Sequence, residues 1–387
     1  MVGRRLPPLG PFALVVILCA SCTVSHRMQP VGPIDVRSQA GAVAMVEGTA
    51  EHGAYPCEAR REGAGDGVRW FGPQREPDRR ALADWCAGVG PVEFRPQPAF
   101  GGSPSSQSPD STFTVATWNV HVGGGDLIGF LQDELEYGCD AQGPRKRNRH
   151  FALLVQEAHR ASSAVPEASE GAVSRKRIAA TPPNGPRRDI VQIAERCGLA
   201  LFYVPSMRNG LAPGESDRED RGSAILSTLP LADPIAIEVP FEAQRRVAVV
   251  ASVRGPGDTV LRLASVHYDV AGNILRVLGT GGSMRVRQND GLTEALDLVD
   301  PERDTPIVVA GDLNTWSYRE TVVQRMLETY PDSPPPGKEK TRGDWPPDHL
   351  FFRAGGSALG LVEGSYRVTE DAFGSDHKAR LATLSVP

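Results

Sequence analysis

Polar side chains that can bind metal ions or transfer protons follow several apolar runs of the sequence. Taken singly, such residues usually cap turns or complete structural hydrogen bonds. Their recurrence after apolar runs indicates strands whose ends meet at one rim of a sheet, where carboxylates, amides and imidazoles converge. The residues concerned are Asn119 and His121, Gln156 and Glu157, His267 and Asp269, and Asp312 and Asn314.

A further acid–imidazole pair lies near the C-terminus, in FGSDHKARL (373–381). Gly374 and Ser375 are typical of a bend, and Ser and Asp side chains often hydrogen-bond within turns. Asp376 and His377 can therefore be read as a structural turn or as a catalytic histidine beside a last strand. The rest of the chain decides between these two interpretations.

The apolar runs themselves predict many strands and few helices. TFTVATWNVHV (112–122) alternates as a strand does, and FALLVQEAH (151–159) suits a strand buried on both faces. Helical periodicity appears in DRRALADWC (78–86), DIVQIAERCGLA (189–200) and RVRQNDGLTEALDLV (285–299). This pattern favours an α/β or α+β sandwich over a regular alternation of strands and helices.

The motifs TWNVH, VQE, SVHYD, GDLNTW and GSDHKA occur in this order within residues 112–387. Together they resemble the signature set of the endonuclease/exonuclease/phosphatase superfamily, also called the deoxyribonuclease I-like superfamily. The resemblance implies a four-layer α-β-β-α sandwich in which two mixed β-sheets pack face to face. It also implies hydrolysis of a phosphoester, with a divalent cation as cofactor.

The resemblance assigns the cation to three oxygen donors. Glu157 matches the principal ligand of Mg²⁺, Asn119 assists through its amide oxygen, and Asp376 matches a carboxylate close to the metal. Mg²⁺ prefers such hard oxygen ligands, and Mn²⁺ is the alternative cation. Some relatives carry Asp where this chain has His121, so one metal ion is expected and a second remains open.

The same resemblance assigns catalytic roles. His377 matches the general base or water-orienting group, and Asp348, in PPDHLFF, matches the Asp that hydrogen-bonds it. His267 is expected to donate to a non-bridging phosphate oxygen. Asp312 is expected to handle the nucleophile or leaving group, and Asn314 to stabilise the phosphorane through its amide N–H. These groups supply the base and the positioned donors that a pentacovalent transition state needs.

Arg208 and Arg221 are the candidate contacts to substrate phosphate, with a surface turn as the alternative for both. Ser223, in DRGSAIL, stands where relatives often have Asn, a change expected to cost little.

The substrate remains open at this stage. The net charge of −5 provides no global basic field, which weakens the case for a nuclease without excluding it. An exported nuclease-like phosphodiesterase is the first interpretation, and a sphingomyelinase-like phospholipid phosphodiesterase or an inositol- or sugar-phosphate phosphatase are alternatives. A non-catalytic, surface-anchored binding module is the alternative of another class. We expect a monomer.

The first residues predict export. Arg4 and Arg5 precede the apolar run FALVVILCA (12–20), which is short for a membrane span and typical of a signal peptide. CASC (19–22) resembles a bacterial lipobox in which Cys22 is lipidated, although Cys19 stands where Leu is usual. We expect an exported bacterial protein of the cell envelope, lipid-anchored or otherwise periplasmic or extracellular.

The predicted organisation is a signal peptide over 1–22, an N-terminal segment over 23–111 and the catalytic domain over 112–387. The segment includes the Pro-, Gly- and Ser-rich stretch 96–111, which is typical of a linker. It is too small for a convincing independent domain, so we expect residues 51–98 to pack against the sandwich. Four cysteines follow the signal peptide and allow three pairings. The local choice is Cys57–Cys86 and Cys139–Cys197.

Overall fold

The strands β4 (Thr112–Asn119) and β7 (His150–Ala161) are parallel neighbours at the centre of the molecule. Their side chains alternate between two apolar layers, as the two-residue period of a strand requires. Phe113 and Leu154 pack on one face, and Trp118 and Val155 pack on the other. Both runs predicted as strands are therefore buried on both sides.

The computed structural model describes residues 28–31, 67–73, 76–98, 112–140, 143–144, 150–166, 177–178, 185–209, 218–241, 244–270, 281–335 and 339–386. The seven-stranded sheet consists, in spatial order, of β1 (Met28–Val31), β2 (Arg69–Pro73), β11 (Ala232–Val239), β12 (Arg246–Arg254), β13 (Val260–His267), β14 (Ile307–Asp312) and β15 (Asp348–Arg353).

The nine-stranded sheet consists, in spatial order, of β16 (Gly360–Leu361), β18 (Arg380–Ser385), β4, β7, β10 (Glu219–Ser227), β9 (Ala200–Asn209) and β3 (Glu93–Arg95), with β17 (Arg367–Val368) paired to β18 and β8 (Arg177–Ile178) paired to β9. A small hairpin joins β5 (Cys139–Asp140) to β6 (Gly143–Pro144). Both large sheets are mixed, since each contains parallel and antiparallel pairs.

Helices cover the outer faces of the two sheets. α1 (Glu76–Ala87) lies beside β2 of one sheet and β9 of the other. The outer helices are α2 (Leu127–Asp133), α3 (Ile190–Cys197), α4 (Gly281–Val299) and α5 (Thr321–Thr329). Phe130 of α2 and Ile193 of α3 pack on the nine-stranded sheet, whereas Leu292 of α4 and Met326 of α5 pack on the seven-stranded sheet. A further apolar cluster, which includes Phe113, Leu154 and Val249, lies between the two sheets. The expected four-layer α-β-β-α sandwich is therefore confirmed.

Two local features fix the ends of α3. The Asp189 carboxylate accepts hydrogen bonds from the N–H groups of Val191 and Gln192. Gly198 ends the helix in the left-handed conformation, with φ 64°. This cap-and-stop pair explains why the helix is confined to the predicted stretch.

The N-terminal segment supplies strands to both sheets. β2 pairs in parallel with β11, and β3 pairs in antiparallel with β9. Val68, Trp70 and Val92 are buried in the cluster between the sheets. The segment is therefore integrated with the sandwich, while the boundary drawn at residue 112 stays a prediction.

A disulfide bond joins Cys139 to Cys197 with a Cα–Cα distance of 4.7 Å. The bond links β5 to the end of α3 and confirms the local pairing expected for these two cysteines. Cys86 is also disulfide-bonded. Its expected partner, Cys57, lies outside the described residues, so that pairing stays a prediction.

In the described part of the chain, no helix has the length and apolar character needed to cross a membrane.

Trp70 tests how much the N-terminal segment contributes to stability. Its side chain is 1% exposed between the sheets, so Trp70→Ala should lower the free energy of unfolding by about 3–5 kcal/mol. Urea or guanidinium denaturation measures the change. Trp345→Ala is the matched control, because Trp345 is 46% exposed and a surface substitution should cost about 0.5 kcal/mol or less. Equal losses in the two variants would show that the segment is not part of the core.

Candidate active site

Three predicted residues lie in a row across adjacent strands of the seven-stranded sheet. His267 is opposite Asp312 in the parallel pair of β13 and β14, and Asp312 is opposite Asp348 in the antiparallel pair of β14 and β15. Gly311 allows the close approach of β13 and β14, because a Cβ at this position would lie 1.8 Å from the carbonyl oxygen of Val266. Strand register therefore holds the three side chains at one end of the sheet.

His377 completes the cluster from the bend that precedes β18 of the nine-stranded sheet. Its Nδ1 lies 2.8 Å from Oδ2 of Asp348, and its Nε2 lies 3.8 Å from Oδ2 of Asp312 and 3.8 Å from Oδ1 of Asp376. Since a carboxylate accepts hydrogen bonds, Nδ1 carries the proton and Nε2 is directed at the other carboxylates. The Trp118 indole N–H donates to the His377 carbonyl oxygen at 2.9 Å, which fixes the backbone.

Asn119 and Asn314 both bond to Asp312. The Asn119 amide donates to Oδ2 of Asp312 at 2.9 Å, and the backbone N–H of Asn314 donates to Oδ1 at 2.7 Å. One amide N–H of Asn314 also donates to the Tyr268 carbonyl oxygen at 2.8 Å. The Asn314 side chain is thus held beside Asp312 by the end of β13.

The buried charges of the cluster shift one another's pKa values. Burial alone would lower the pKa of His377, but Asp348, followed by Asp312 and Asp376, outweighs it and raises the pKa to about 9. Burial would raise the pKa of Asp348, yet His377 holds it below its ordinary value. Burial and the charge of Asp348 raise the pKa of Asp312 to about 6. An imidazolium at His377 is therefore stabilised by its neighbours.

His267 has the opposite environment, because of an arginine that the sequence analysis did not identify. The Arg246 guanidinium donates to His267 Nδ1 at 3.2 Å, so Nε2 carries the ring proton and faces Asp312 Oδ2 at 3.6 Å. Burial, and then the charges of Arg246 and His377, lower the pKa of His267 well below its ordinary value. His267 is therefore a neutral donor. Only the basic doublet before the apolar run of β12 could have indicated Arg246.

The predicted metal donors gather around one turn. The backbone N–H of His121 donates to the Asn119 amide oxygen at 3.0 Å, and that of Val122 donates to Oε2 of Glu157 at 3.0 Å. The His121 imidazole lies 3.7 Å from Oδ1 of Asp376. The carboxylate and amide oxygens of these predicted donors are the type of donor that a hard cation such as Mg²⁺ prefers, and Oδ2 of Asp376 also pairs with Arg342.

Glu157 occupies a position that the sequence pattern did not predict. β7 does not end at Gln156 and Glu157, as expected, but continues to Ala161. Glu157 instead adopts φ 54° inside the strand, at the irregularity opposite Gly222 and Ala224. A β-bulge of this kind re-aims a side chain without ending the sheet. The Glu157 carboxylate therefore faces the turn from within a strand.

A second set of possible ligand atoms comes from Asp312, Asp348 and His377, which lie within 4.8 Å of one another. Its atoms already bond to one another and to Asn119 and Asn314, as described above. Acid–base roles suit this set better than metal binding.

The two candidate arginines differ in placement. Arg221 lines a small cavity with Glu157, Arg246 and His267, and its Nε and Nη1 are buried without hydrogen-bond partners. Arg208 is 1% exposed, and its Nη1 donates to the carbonyl oxygens of Gly88, at 2.9 Å, and Pro166. Arg208 therefore fastens the N-terminal segment to the sandwich, and the phosphate contact expected of it does not fit this burial. Ser223 also lines the small cavity.

The titration of His377 can be measured in the metal-free protein. Its pKa should lie near 9, so its NMR signals should show an imidazolium at pH 7. Asp348→Asn removes the carboxylate that raises this pKa most and should lower it by about 1–3 pH units. The matched control is Asp344→Asn, an exposed carboxylate that pairs with Lys340. An unchanged pKa in Asp348→Asn would contradict the assignment.

The chain is similar to several proteins of known structure. A search of curated proteins found no match. Similar solved structures include an endonuclease/exonuclease/phosphatase from Beutenbergia cavernae DSM 12333, with 17% identity, 71% of this chain and 72% of that chain covered, and a TM-score of 0.47. The human Nocturnin catalytic domain with bound sulfate is 17% identical, with 72% of this chain and 95% of that chain covered and a TM-score of 0.45. Sphingomyelinase C from Streptomyces griseocarneus is 16% identical, with 70% of this chain and 99% of that chain covered and a TM-score of 0.40.

The match that defines the family is one of sequence. Residues 116–377 match the profile described as the Endonuclease/Exonuclease/phosphatase family. The matched region includes every residue of the His267–Asp312–Asp348–His377 cluster and the predicted metal donors. The chain therefore belongs to the endonuclease/exonuclease/phosphatase family, whose members are hydrolases that act on phosphoester bonds.

Proposed function

We propose that the protein is a divalent-metal-dependent phosphodiesterase of the nuclease type, in which His377 assists the attack of water. The observation that carries the proposal is the buried Asp348–His377–Asp312 cluster at the ends of the two sheets. A binding module would have no need for a histidine held between three carboxylates that raise its pKa to about 9. Perturbed groups of this kind are typical of catalytic sites.

In its neutral form, whose share grows as the pH rises toward the pKa of about 9, His377 accepts the proton of the attacking water at Nε2, since its Nδ1–H is bonded to Asp348. The resulting imidazolium lies beside the carboxylates of Asp348 and Asp312, which stabilise its charge. Asp312, with a pKa of about 6, can exchange a proton with the nucleophile or leaving group near neutral pH.

Neutral donors and one arginine act on the phosphate. His267 offers its Nε2–H to a non-bridging oxygen, and Arg246 keeps that tautomer in place. Asn314 is positioned beside Asp312 to donate to the phosphorane. Arg221 contributes positive charge from the small cavity that it shares with Glu157. Donors already in place lower the barrier, because they need no reorganisation when charge develops.

Glu157, Asn119 and Asp376 would hold the cation, Mg²⁺ or Mn²⁺, whose charge would stabilise the negative charge that develops on the phosphate.

Hydrolysis of a generic nitrophenyl phosphodiester tests the proposed activity. The wild type should be active with Mg²⁺ and inactive after chelation. His377→Ala should lower kcat by about 10²–10⁴-fold, the usual contribution of a general base. Asp258→Asn is the control, since Asp258 is exposed on a turn that precedes β13. Equal background rates in the wild type and in His377→Ala would overturn the enzymatic function. A panel of DNA, RNA, sphingomyelin and phosphoinositides then compares the substrate classes.

We also propose that the protein is exported, acts as a monomer and is anchored to the cell envelope by a lipid on Cys22. The signal-like N-terminus and the lipobox-like CASC (19–22) support this proposal. In a bacterial host, the wild type should be recovered in the membrane fraction with a lipidated N-terminal cysteine in its mass spectrum. Cys22→Ser should release it from that fraction. A wild-type protein cleaved elsewhere and recovered without lipid would rule out the anchor.

A further inference from the structure

Two exposed tryptophans lie together beside the candidate active site. Trp316 is 42% exposed and Trp345 is 46% exposed, and their ring centroids are 4.9 Å apart at an interplanar angle of 60°. Among the described residues, the other large apolar side chains with comparable exposure are Val260 and Val270. Tilted indoles leave part of each ring face open, so the pair can receive a further planar group.

The chain connects this tryptophan pair directly to the catalytic cluster. Trp316 is two residues after Asn314, and Trp345 is three residues before Asp348. Arg342, in the same turn as Trp345, reaches Asp376 at 2.5 Å. A substrate whose phosphate lies at the cluster therefore has its adjoining groups near the tryptophan pair.

The backbone that carries the pair is held in place. Thr315 Oγ1 donates to the Pro346 carbonyl oxygen at 2.8 Å, which joins the two segments. Leu313 N–H donates to the Pro347 carbonyl oxygen at 2.8 Å, and Trp345 N–H donates to that of Arg342 at 2.9 Å. The pair is thus a preformed surface, and a ligand would not need to order it.

We propose that Trp316 and Trp345 form a stacking platform for a nucleobase that adjoins the scissile phosphate. The inference rests on the proposed function, because it places the phosphate at the His377 cluster. It narrows that function to nucleic acid or nucleotide substrates. Stacking on aromatic side chains tolerates any base, so the platform would contribute affinity without base specificity.

The surroundings favour a base over other occupants. The turn with Trp345 also carries Lys340 and Arg342, each paired with a carboxylate. These positive side chains, with Arg319 after Trp316, disfavour a quaternary ammonium headgroup at the pair. Ser317 and Arg319, which follow Trp316, are exposed and polar, whereas a membrane-binding surface needs a wider apolar area. Two indoles are also far smaller than the roughly 1,000 Å² that a stable protein interface buries.

Binding without turnover tests the platform. The full chain is titrated in chelator with a labelled single-stranded DNA oligonucleotide and with one of equal length whose sugars carry no bases. Fluorescence anisotropy measures both dissociation constants. The wild type should prefer the base-bearing strand by roughly 10–100-fold. Trp316→Ala/Trp345→Ala should remove this preference without weakening binding of the abasic strand.

Control variants separate stacking from folding. Trp316→Phe/Trp345→Phe should keep most of the preference, because Phe also stacks. Val260→Ala should match the wild type, since Val260 lies at the opposite end of β13 from His267. A wild type that binds the two strands equally, or neither, overturns the platform. So does a double Ala variant that keeps the preference, or binding to sphingomyelin vesicles that replaces oligonucleotide binding and is lost in the double Ala variant.

The two proposals fail separately. Base-dependent binding in a protein without magnesium-dependent hydrolysis of any phosphodiester would overturn the proposed activity and leave the platform standing. Hydrolysis in a protein that does not distinguish the two strands would overturn the platform alone.

Discussion

Asp348 is fully buried and His377 nearly so, and a carboxylate and an imidazole can be buried together only because each compensates the charge of the other. The pair lies between the two sheets, since Asp348 begins β15 of one and His377 precedes β18 of the other. Arg380 also links the two sheets, because its Nε on β18 donates to the carbonyl oxygen of Asp348 on β15 at 3.1 Å. The relative position of the sheets is thus coupled to the geometry of the site.

Several residues with strained backbone conformations lie in the same region. Glu157, Asn314, His121 and Val122 all adopt left-handed φ values between 47° and 55°, which cost energy for residues other than glycine. Their hydrogen bonds hold them there: Glu157 accepts from Val122, and the backbone of Asn314 donates to Asp312. The stability of the sandwich thus maintains conformations that these residues would not adopt in isolation.

The sequence predicted site residues where polar side chains directly follow an apolar strand pattern. His267 and Asp312 could be identified because they end strong apolar runs, whereas Asp348 and the role of His377 came from the resemblance to a known family; the structure brings all four together. The bulge at Glu157 could not be foreseen, since it depends on the pairing of β7 with β10 and no local signal marks it.

Contacts between residues far apart in sequence explain the other features that the sequence did not predict. β2, next to the edge strand β1, and β3, at the edge of the other sheet, are short strands without clear periodicity, and they form because the sheets provide partners for them. Arg208 and Arg246 look alike in sequence, yet one fastens a loop and the other orients His267. Only the tertiary neighbours of a buried guanidinium determine which of these it does.

In a protein anchored through Cys22, as proposed, the edge position of β1 would limit how far the protein extends from the membrane. β1 begins at Met28, six residues after Cys22, and six extended residues span about 20 Å. A lipid on Cys22 would therefore hold that edge of the seven-stranded sheet close to the bilayer. β15, which carries Asp348, is at the opposite edge, six strand spacings or about 29 Å away. The tether would thus direct the catalytic strands away from its own attachment point, toward ligands in the surrounding solution.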